Sequence, residues 1–107
     1  MIRVTLTRDR KGLPRRLTVR GHAGQGRYGE DIVCAAASAL VETLAIGLKQ
    51  VASQPADGLV EEGQAEFTFL SPLSSEAQAI IETISAGLKD LAESEPRFVT
   101  WQQVSPE

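Results

Sequence analysis

Apolar residues in this chain follow two different periods, and the order in which these periods alternate restricts the fold more than any other feature. Some segments alternate apolar and polar residues with period two, which is typical of half-buried strands. Others repeat apolar residues at steps of three and four, as one face of a helix requires. The predicted strands are 2–8, 16–20, a pair within 59–70, and 98–104, and the predicted helices begin at Asp31 and span Ser75 to Glu93.

This order, ββαββαβ, predicts an α+β fold with two layers. Strand pairs separated by helices favour a mainly antiparallel sheet covered on one face by two helices. A length of 107 residues favours a single domain over 1–107. The expected buried face of the first helix comprises Ile32, Val33, Ala36, Leu40, Leu44, Leu48 and Val51, and that of the second comprises Ile80, Ile84, Leu88 and Leu91.

Composition removes several classes of function. The net charge of −3 argues against nucleic acid as a direct partner, because phosphate binding depends on Lys and Arg. A single cysteine excludes an internal disulfide and a Cys-rich zinc site, and we expect neither a metal nor a cofactor. No apolar run reaches the roughly 18 residues of a membrane span, and the N-terminus alternates instead of forming a signal peptide. We therefore expect a cytoplasmic protein without membrane contact.

The segment GHAGQGRYGEDIVC (21–34) contains a motif that suggests a dinucleotide site. Its string GxGxxG spans 24–29. A phosphate cradle, however, needs a buried strand before the glycines and a helix that opens within them. Here the preceding strand is amphipathic, the helical pattern begins only at Asp31, and Glu30 and Asp31 put negative charge where the pyrophosphate would lie. We therefore reject this interpretation.

The same segment carries the only histidine and the only cysteine of the chain, His22 and Cys34. If Asp31 caps the helix, Cys34 is its third residue, where unpaired amides and the helix dipole favour a thiolate. A thiolate is a nucleophile, and an imidazole that folds back across the loop could serve it as acid and base. Ser38 lies one turn further on the same helix face.

Each of these residues also has a simpler interpretation. A lone cysteine is most often a small buried hydrophobe, and a histidine beside glycine is often a turn residue. Ser38 could serve close helix packing alone. Spacing by itself therefore leaves a catalytic pair and a glycine-rich loop without chemistry both open.

The motif G-H-A, a short loop, and then GEDIVCAAASAL resembles the bacterial ribosomal-processing cysteine protease family, Prp. The close match covers about twenty residues, whose family pattern is G-H-A, a variable loop, G-x-D-I-V-C-A and a serine. The resemblance implies a cysteine nucleophile at Cys34 and a general base and acid at His22. It places Asp31 and Ser38 at supporting polar positions, and Gly21 and Gly29 at the two ends of a mobile loop.

The resemblance also implies a substrate and an assembly. Members of this family are homodimers that remove a short N-terminal extension from ribosomal protein L27, the twenty-seventh protein of the large subunit, after a phenylalanine. Two alternatives stay open at this stage. One is a non-catalytic ribosome-associated binding module, and the other is a cysteine amidase or acyl-transfer enzyme with a small substrate.

Overall fold

The described part of the chain folds into five strands and two helices in the predicted order. A computed structural model describes residues 1–22 and 28–106, and for 28–31 the backbone alone. A π-helical turn, Gly47–Val51, continues directly from the first helix. The elements are β1 (Ile2–Arg8), β2 (Pro14–Arg20), α1 (Tyr28–Ile46), β3 (Asp57–Glu61), β4 (Gln64–Thr68), α2 (Ser75–Ser94) and β5 (Val99–Val104).

All five strands form one sheet in the order β3-β4-β2-β1-β5. Strand β5 runs parallel to β1, and the other three pairs are antiparallel, so the predicted α+β class with a mainly antiparallel sheet is confirmed. Arg20 lies opposite both Arg3 on β1 and Gln64 on β4. The start of β1, the end of β2 and the β3–β4 turn therefore meet at one end of the sheet.

The core lies between the sheet and the two helices. Alternate residues of β1 and β2 point to it, because side chains of a strand alternate between its two faces. The buried strand residues are Ile2, Val4, Leu6, Pro14, Leu17, Val19, Ala65, Phe67 and Val99. On the opposite face, Arg16 and Arg20 both pair with the carboxylate of Glu66.

The predicted buried faces of the helices are partly wrong. On α1, Ile32 is 53% exposed, and on the π-helical turn Val51 is 72% exposed, although both were placed in the core. Hydrophobic period and helix propensity could not predict which face of α1 is buried, because apolar residues lie nearly all round the helix. On α2, Ile81 is fully buried while Ile80 is only half-buried. The helical residues that are buried are Val33, Ala37, Val41, Leu44, Leu48, Ala77, Ile81, Ile84, Ser85, Leu88 and Ala92.

Segment Ile32–Val51 is long and apolar enough to cross a membrane by length and composition, with a mean hydropathy of 1.7. The prediction that no segment is long and apolar enough to span a membrane is therefore wrong. The segment nevertheless contributes Val33, Leu44 and Leu48 to the core. A core helix satisfies the same criteria, so the measure alone does not place the chain in a membrane.

Helix α2 is fixed at its start and near its middle by polar contacts. The hydroxyl of Ser74 accepts a hydrogen bond from the amide of Ala77, which satisfies one of the unpaired donors of the first turn. The guanidinium of Arg8 donates two hydrogen bonds of 2.7 Å to the carboxylate of Glu82. These hydrogen bonds raise the pKa of Arg8 and join α2 to β1.

Candidate active site

A cleft of about 470 Å³ opens between α1 and the end of the sheet where β1, β2 and the β3–β4 turn meet. It contains both residues that the sequence singled out for nucleophilic chemistry, His22 and Cys34. One wall is formed by α1 and the other by the hairpin. The lining residues are Ile2, Val19, Gly21, His22, Cys34, Ala35, Ala37, Ser38, Val41, Glu42, Val60, Glu61, Glu62, Gly63, Gln64 and Ala65.

His22 reaches the cleft because two hydrogen bonds hold the backbone here, one at the residue before it and one at its own carbonyl. The amide of Gly21 donates a 2.9 Å hydrogen bond to the carbonyl of Gly63 in the β3–β4 turn. The terminal amino group of Met1 donates to the carbonyl of His22. Gly21 has a φ of 102°, and a Cβ there would lie 3.3 Å from the carbonyl carbon of Met1 and closer still to its oxygen. Only glycine fits this position, and the exposed imidazole is left facing the cleft.

Cys34 lies on the face of α1 that borders the cleft, and its side chain is half-buried. Ser38 and Glu42 follow at intervals of four residues, and both also line the cleft. Residues four apart are neighbours on a helix surface, so thiol, hydroxyl and carboxylate form one polar stripe. The structure thus brings together His22, Cys34 and Ser38, which the sequence had grouped.

The predicted start of the helix is wrong, and this changes the expected surroundings of the thiol. Helix α1 begins at Tyr28, so Asp31 is its fourth residue and not its cap, and Cys34 is the seventh residue and not the third. The unpaired amides of a helix belong to its first four residues. Cys34 lies about 9 Å along the axis from Tyr28 at 1.5 Å per residue, beyond those donors.

Several predictions fall on parts of the chain that the structure does not describe. The side chain of Asp31 is outside the described residues, and so are residues 23–27 of the glycine-rich loop and most of the rejected GxGxxG string. Gly29 is the second residue of α1 and not a loop residue. A hinge at this end of the loop would therefore coincide with the start of the helix.

The sequence analysis missed the contribution of the β3–β4 hairpin to the site. It recognised Glu62-Gly63 as a turn, but nothing in a two-residue turn indicates which other turn or helix it faces. Glu42 was also missed, although its position eight residues after Cys34 is a usable signal for the same helix face. Among the residues that the structure describes, no group of three His, Cys, Asp or Glu side chains is placed to hold a metal ion.

The fold and the cleft together define a class: a two-layer α+β domain with one cysteine and one histidine on facing walls of a cleft, which is the arrangement of a thiol hydrolase. The sequence matches the family described as cysteine protease Prp over residues 1–100. This chain belongs to that family and is a cysteine protease.

Solved structures agree with the family assignment. SMU.848 from Streptococcus mutans is 32% identical, with a TM-score of 0.85 over 99% of this chain and 96% of that chain. The essential ribosomal processing protease Prp from S. aureus, in complex with a covalently linked product peptide, is 28% identical, with a TM-score of 0.87 over 96% of this chain and 99% of that one.

The same S. aureus protease in complex with a substrate peptide is 27% identical, with a TM-score of 0.87 and the same coverage. No curated protein matches this chain. The assignment as a ribosomal-processing cysteine protease favours the protease interpretation over the non-catalytic module that the sequence had left open.

Proposed function

We propose that this protein is a cysteine endopeptidase that removes the N-terminal extension of ribosomal protein L27, with Cys34 as the nucleophile and His22 as the general base and acid. One observation carries the proposal: in a chain of a cysteine protease family, the only cysteine and the only histidine line the same cleft. With a single thiol in the chain, no other residue can form the thioester that this class of enzyme uses.

The chemistry proceeds in two stages. The Cys34 sulfur attacks the scissile carbonyl carbon, and the thiol proton passes to His22. The imidazolium then protonates the departing amine as the carbon–nitrogen bond breaks, which leaves a thioester on Cys34. In the second stage His22 takes a proton from water, the hydroxide attacks the thioester, and the released thiol recovers the proton.

Asp31 and Ser38 act as supporting residues, and Gly21 and Gly29 as hinges of the intervening loop. Support for Ser38 comes from its place next to Cys34 on the polar stripe of α1. Asp31 precedes Cys34 by three residues on the same helix, which is one turn. Gly21 has a positive φ, a conformation that glycine adopts at little cost, which supports the role of a hinge at this position.

The lining of the cleft suits the phenylalanine after which the family cleaves, and its charge favours a substrate extension that is basic. Its apolar lining includes Val19, Val41, Val60 and Ala65, which offer a surface for an aromatic ring. Glu42, Glu61 and Glu62 place negative charge on the same lining. Acidic side chains around a cleft accelerate the approach of a positively charged substrate, and more so at low salt.

The working form that we propose is a cytoplasmic homodimer. A second groove of about 290 Å³ lies where α1 and its π-helical turn meet α2, and none of the described residues that line it is charged. Val51 and Ile46 lie exposed beside it. An uncharged apolar patch of this kind is self-complementary, as the two-fold interface of a dimer requires. Light scattering of the wild type and of Val51→Glu tests this surface, and only the wild type should be a dimer.

Incubation with a synthetic peptide that spans the L27 extension and its junction tests the function. We expect a single cut after phenylalanine, traced by mass spectrometry, and complete loss of cleavage in both Cys34→Ala and His22→Ala. Lys89→Ala, on an exposed site of α2 away from the cleft, is the matched control and should cleave normally. Cleavage that survives in Cys34→Ala would overturn the proposal, and hydrolysis of small amides without peptide cleavage would favour the amidase alternative.

A further inference from the structure

Gly63, in the turn between β3 and β4, lies directly against the imidazole of His22. A Cβ added at Gly63 would lie 2.7 Å from Cε1 and 3.2 Å from Cδ2 of that ring, and closer still to Nε2. No real Cβ tolerates such contacts, so any side chain at this position must move the imidazole. The ring occupies space that exists only because residue 63 has no side chain.

The backbone of Gly63 also contributes to the position of His22. Its carbonyl accepts the 2.9 Å hydrogen bond from the amide of Gly21, the residue just before the histidine. Gly63 itself has a φ of 75°, a conformation that glycine adopts at little cost. The β3–β4 turn therefore holds the main chain next to His22, and the imidazole packs against the turn at Gly63.

We propose that Gly63 is a positioning residue for the protease: the β3–β4 turn sets where the His22 imidazole lies in the cleft that it shares with Cys34. This inference rests on the proposed roles of His22 and Cys34. It adds a third element to the site, since the pair is otherwise supplied by the end of β2 and by α1 alone. A misplacement of about 1 Å in a reacting group can lower a rate by about 100-fold.

The chain offers a matched control in Gly12, in the β1–β2 turn. Gly12 has a φ of 82°, close to that of Gly63, but a Cβ there would meet nothing within 4 Å. Gly12→Ala and Gly63→Ala therefore carry a similar backbone penalty, which should lower the Tm by a similar amount, on the order of 5 °C. Only Gly63→Ala places a Cβ against the imidazole of His22.

Two measurements separate positioning from stability. The first is cleavage of the L27 peptide, where we expect Gly63→Ala to lower kcat about 100-fold with little change in KM, and Gly12→Ala to match the wild type. The second is the rate at which iodoacetamide alkylates the single thiol, followed by mass spectrometry. We expect Gly63→Ala to be about tenfold slower, as for His22→Ala, because both remove the imidazole from the sulfur.

The decisive comparison is the double variant Gly63→Ala/His22→Ala. If Gly63 acts only through the imidazole, the double variant is alkylated no more slowly than His22→Ala alone. Additive losses, or a Gly63→Ala that behaves as Gly12→Ala does, would overturn the positioning role and leave the protease proposal intact. Unchanged cleavage in His22→Ala and Cys34→Ala would instead overturn the protease proposal.

Gly63→Asn keeps the test valid if Gly63→Ala does not fold. Asparagine carries the same Cβ but tolerates positive φ better than alanine does. We expect it to fold with a smaller loss of Tm and to slow both cleavage and alkylation as Gly63→Ala does. A folded Gly63→Asn with wild-type rates would contradict the proposal.

Discussion

Helices α1 and α2 lie side by side on one face of the sheet but differ in what they contribute to the protein. Helix α2 is strongly amphipathic, begins at a defined cap and is bound to β1 through the Arg8–Glu82 pair. Helix α1 is apolar nearly all round and places the stripe Cys34, Ser38 and Glu42 along the cleft. The comparison indicates that α2 contributes to stability, while α1 contributes both to the core and to the proposed active site.

The two helices also approach each other closely at small residues. A Cβ at Gly47 would lie 3.1 Å from Ile80, and one at Gly87 would lie 3.4 Å from Leu40. At these two glycines the backbone of one element packs against a side chain of the other, which joins α1 and its π-helical turn to α2. Substitutions on α2 should therefore change stability first, and substitutions on the cleft side of α1 should change activity first.

The largest effect on stability should come from the neighbouring isoleucines of α2. Ile81 is fully buried, and Ile81→Ala should lower the free energy of unfolding by about 2–5 kcal/mol through lost burial and a cavity. Ile80→Ala, at a half-buried site, should cost about 1 kcal/mol. Urea unfolding at one fixed protein concentration checks both values. A larger loss in Ile80→Ala than in Ile81→Ala would show that α2 is oriented as the sequence pattern alone had suggested.

That pair of residues shows how far sequence reasoning extends in this molecule. Strands, helices and their order follow from hydrophobic period, since a two-residue alternation and a helical repeat are hard to confuse over long segments. The rotation of a helix is less well determined. Ile80 and Ile81 are both compatible with an apolar face, and only packing against the sheet decides which one is buried.

The site was partly predictable for a related reason. His22, Cys34 and Ser38 lie close together in the sequence, and local spacing placed them near one another. The β3–β4 turn joins the cleft through the pairing of β4 with β2, which brings Gly63 next to Gly21 across 42 positions of the chain. Strand order is a non-local property, and the order of the sheet was not predicted.

The second prediction concerns the N-terminal cap of α2. Ser74→Ala should lower the free energy of unfolding by about 1 kcal/mol, because the amide of Ala77 loses its acceptor. Ser75→Ala, one residue further and exposed, should have almost no effect and serves as the control. A thermal melt of each variant checks the difference, and identical melting temperatures would show that the cap does not stabilise α2.

A smaller loss is expected for the link between α2 and β1. Glu82→Gln removes the charge from a partly exposed pair and should cost about 0.5 kcal/mol. The loss should shrink at 1 M salt, where screening acts over about 3 Å. Unfolding at low and high salt provides the measurement. A loss independent of salt would assign the effect to hydrogen-bond geometry instead of charge.

The smallest expected effect comes from a substitution on α1, and it is an effect on activity, not on stability. If Ser38 supports Cys34 as proposed, Ser38→Ala should reduce peptide cleavage about two- to fivefold, because a single hydrogen bond contributes about 1 kcal/mol or less. Its stability should stay within about 0.5 kcal/mol of the wild type, since the site is exposed and alanine favours helices. Steady-state kinetics and a melt of the same preparation test both statements.

Ser38→Thr sharpens this last test. Threonine retains a hydroxyl, so cleavage should return toward the wild-type rate if that group acts on Cys34. If the residue matters only through its small size, the added methyl group should make Ser38→Thr worse than Ser38→Ala. A loss of stability in Ser38→Ala equal to that in Ser74→Ala would end the distinction between the two helices, because α1 would then depend on its polar stripe for folding as well as for chemistry.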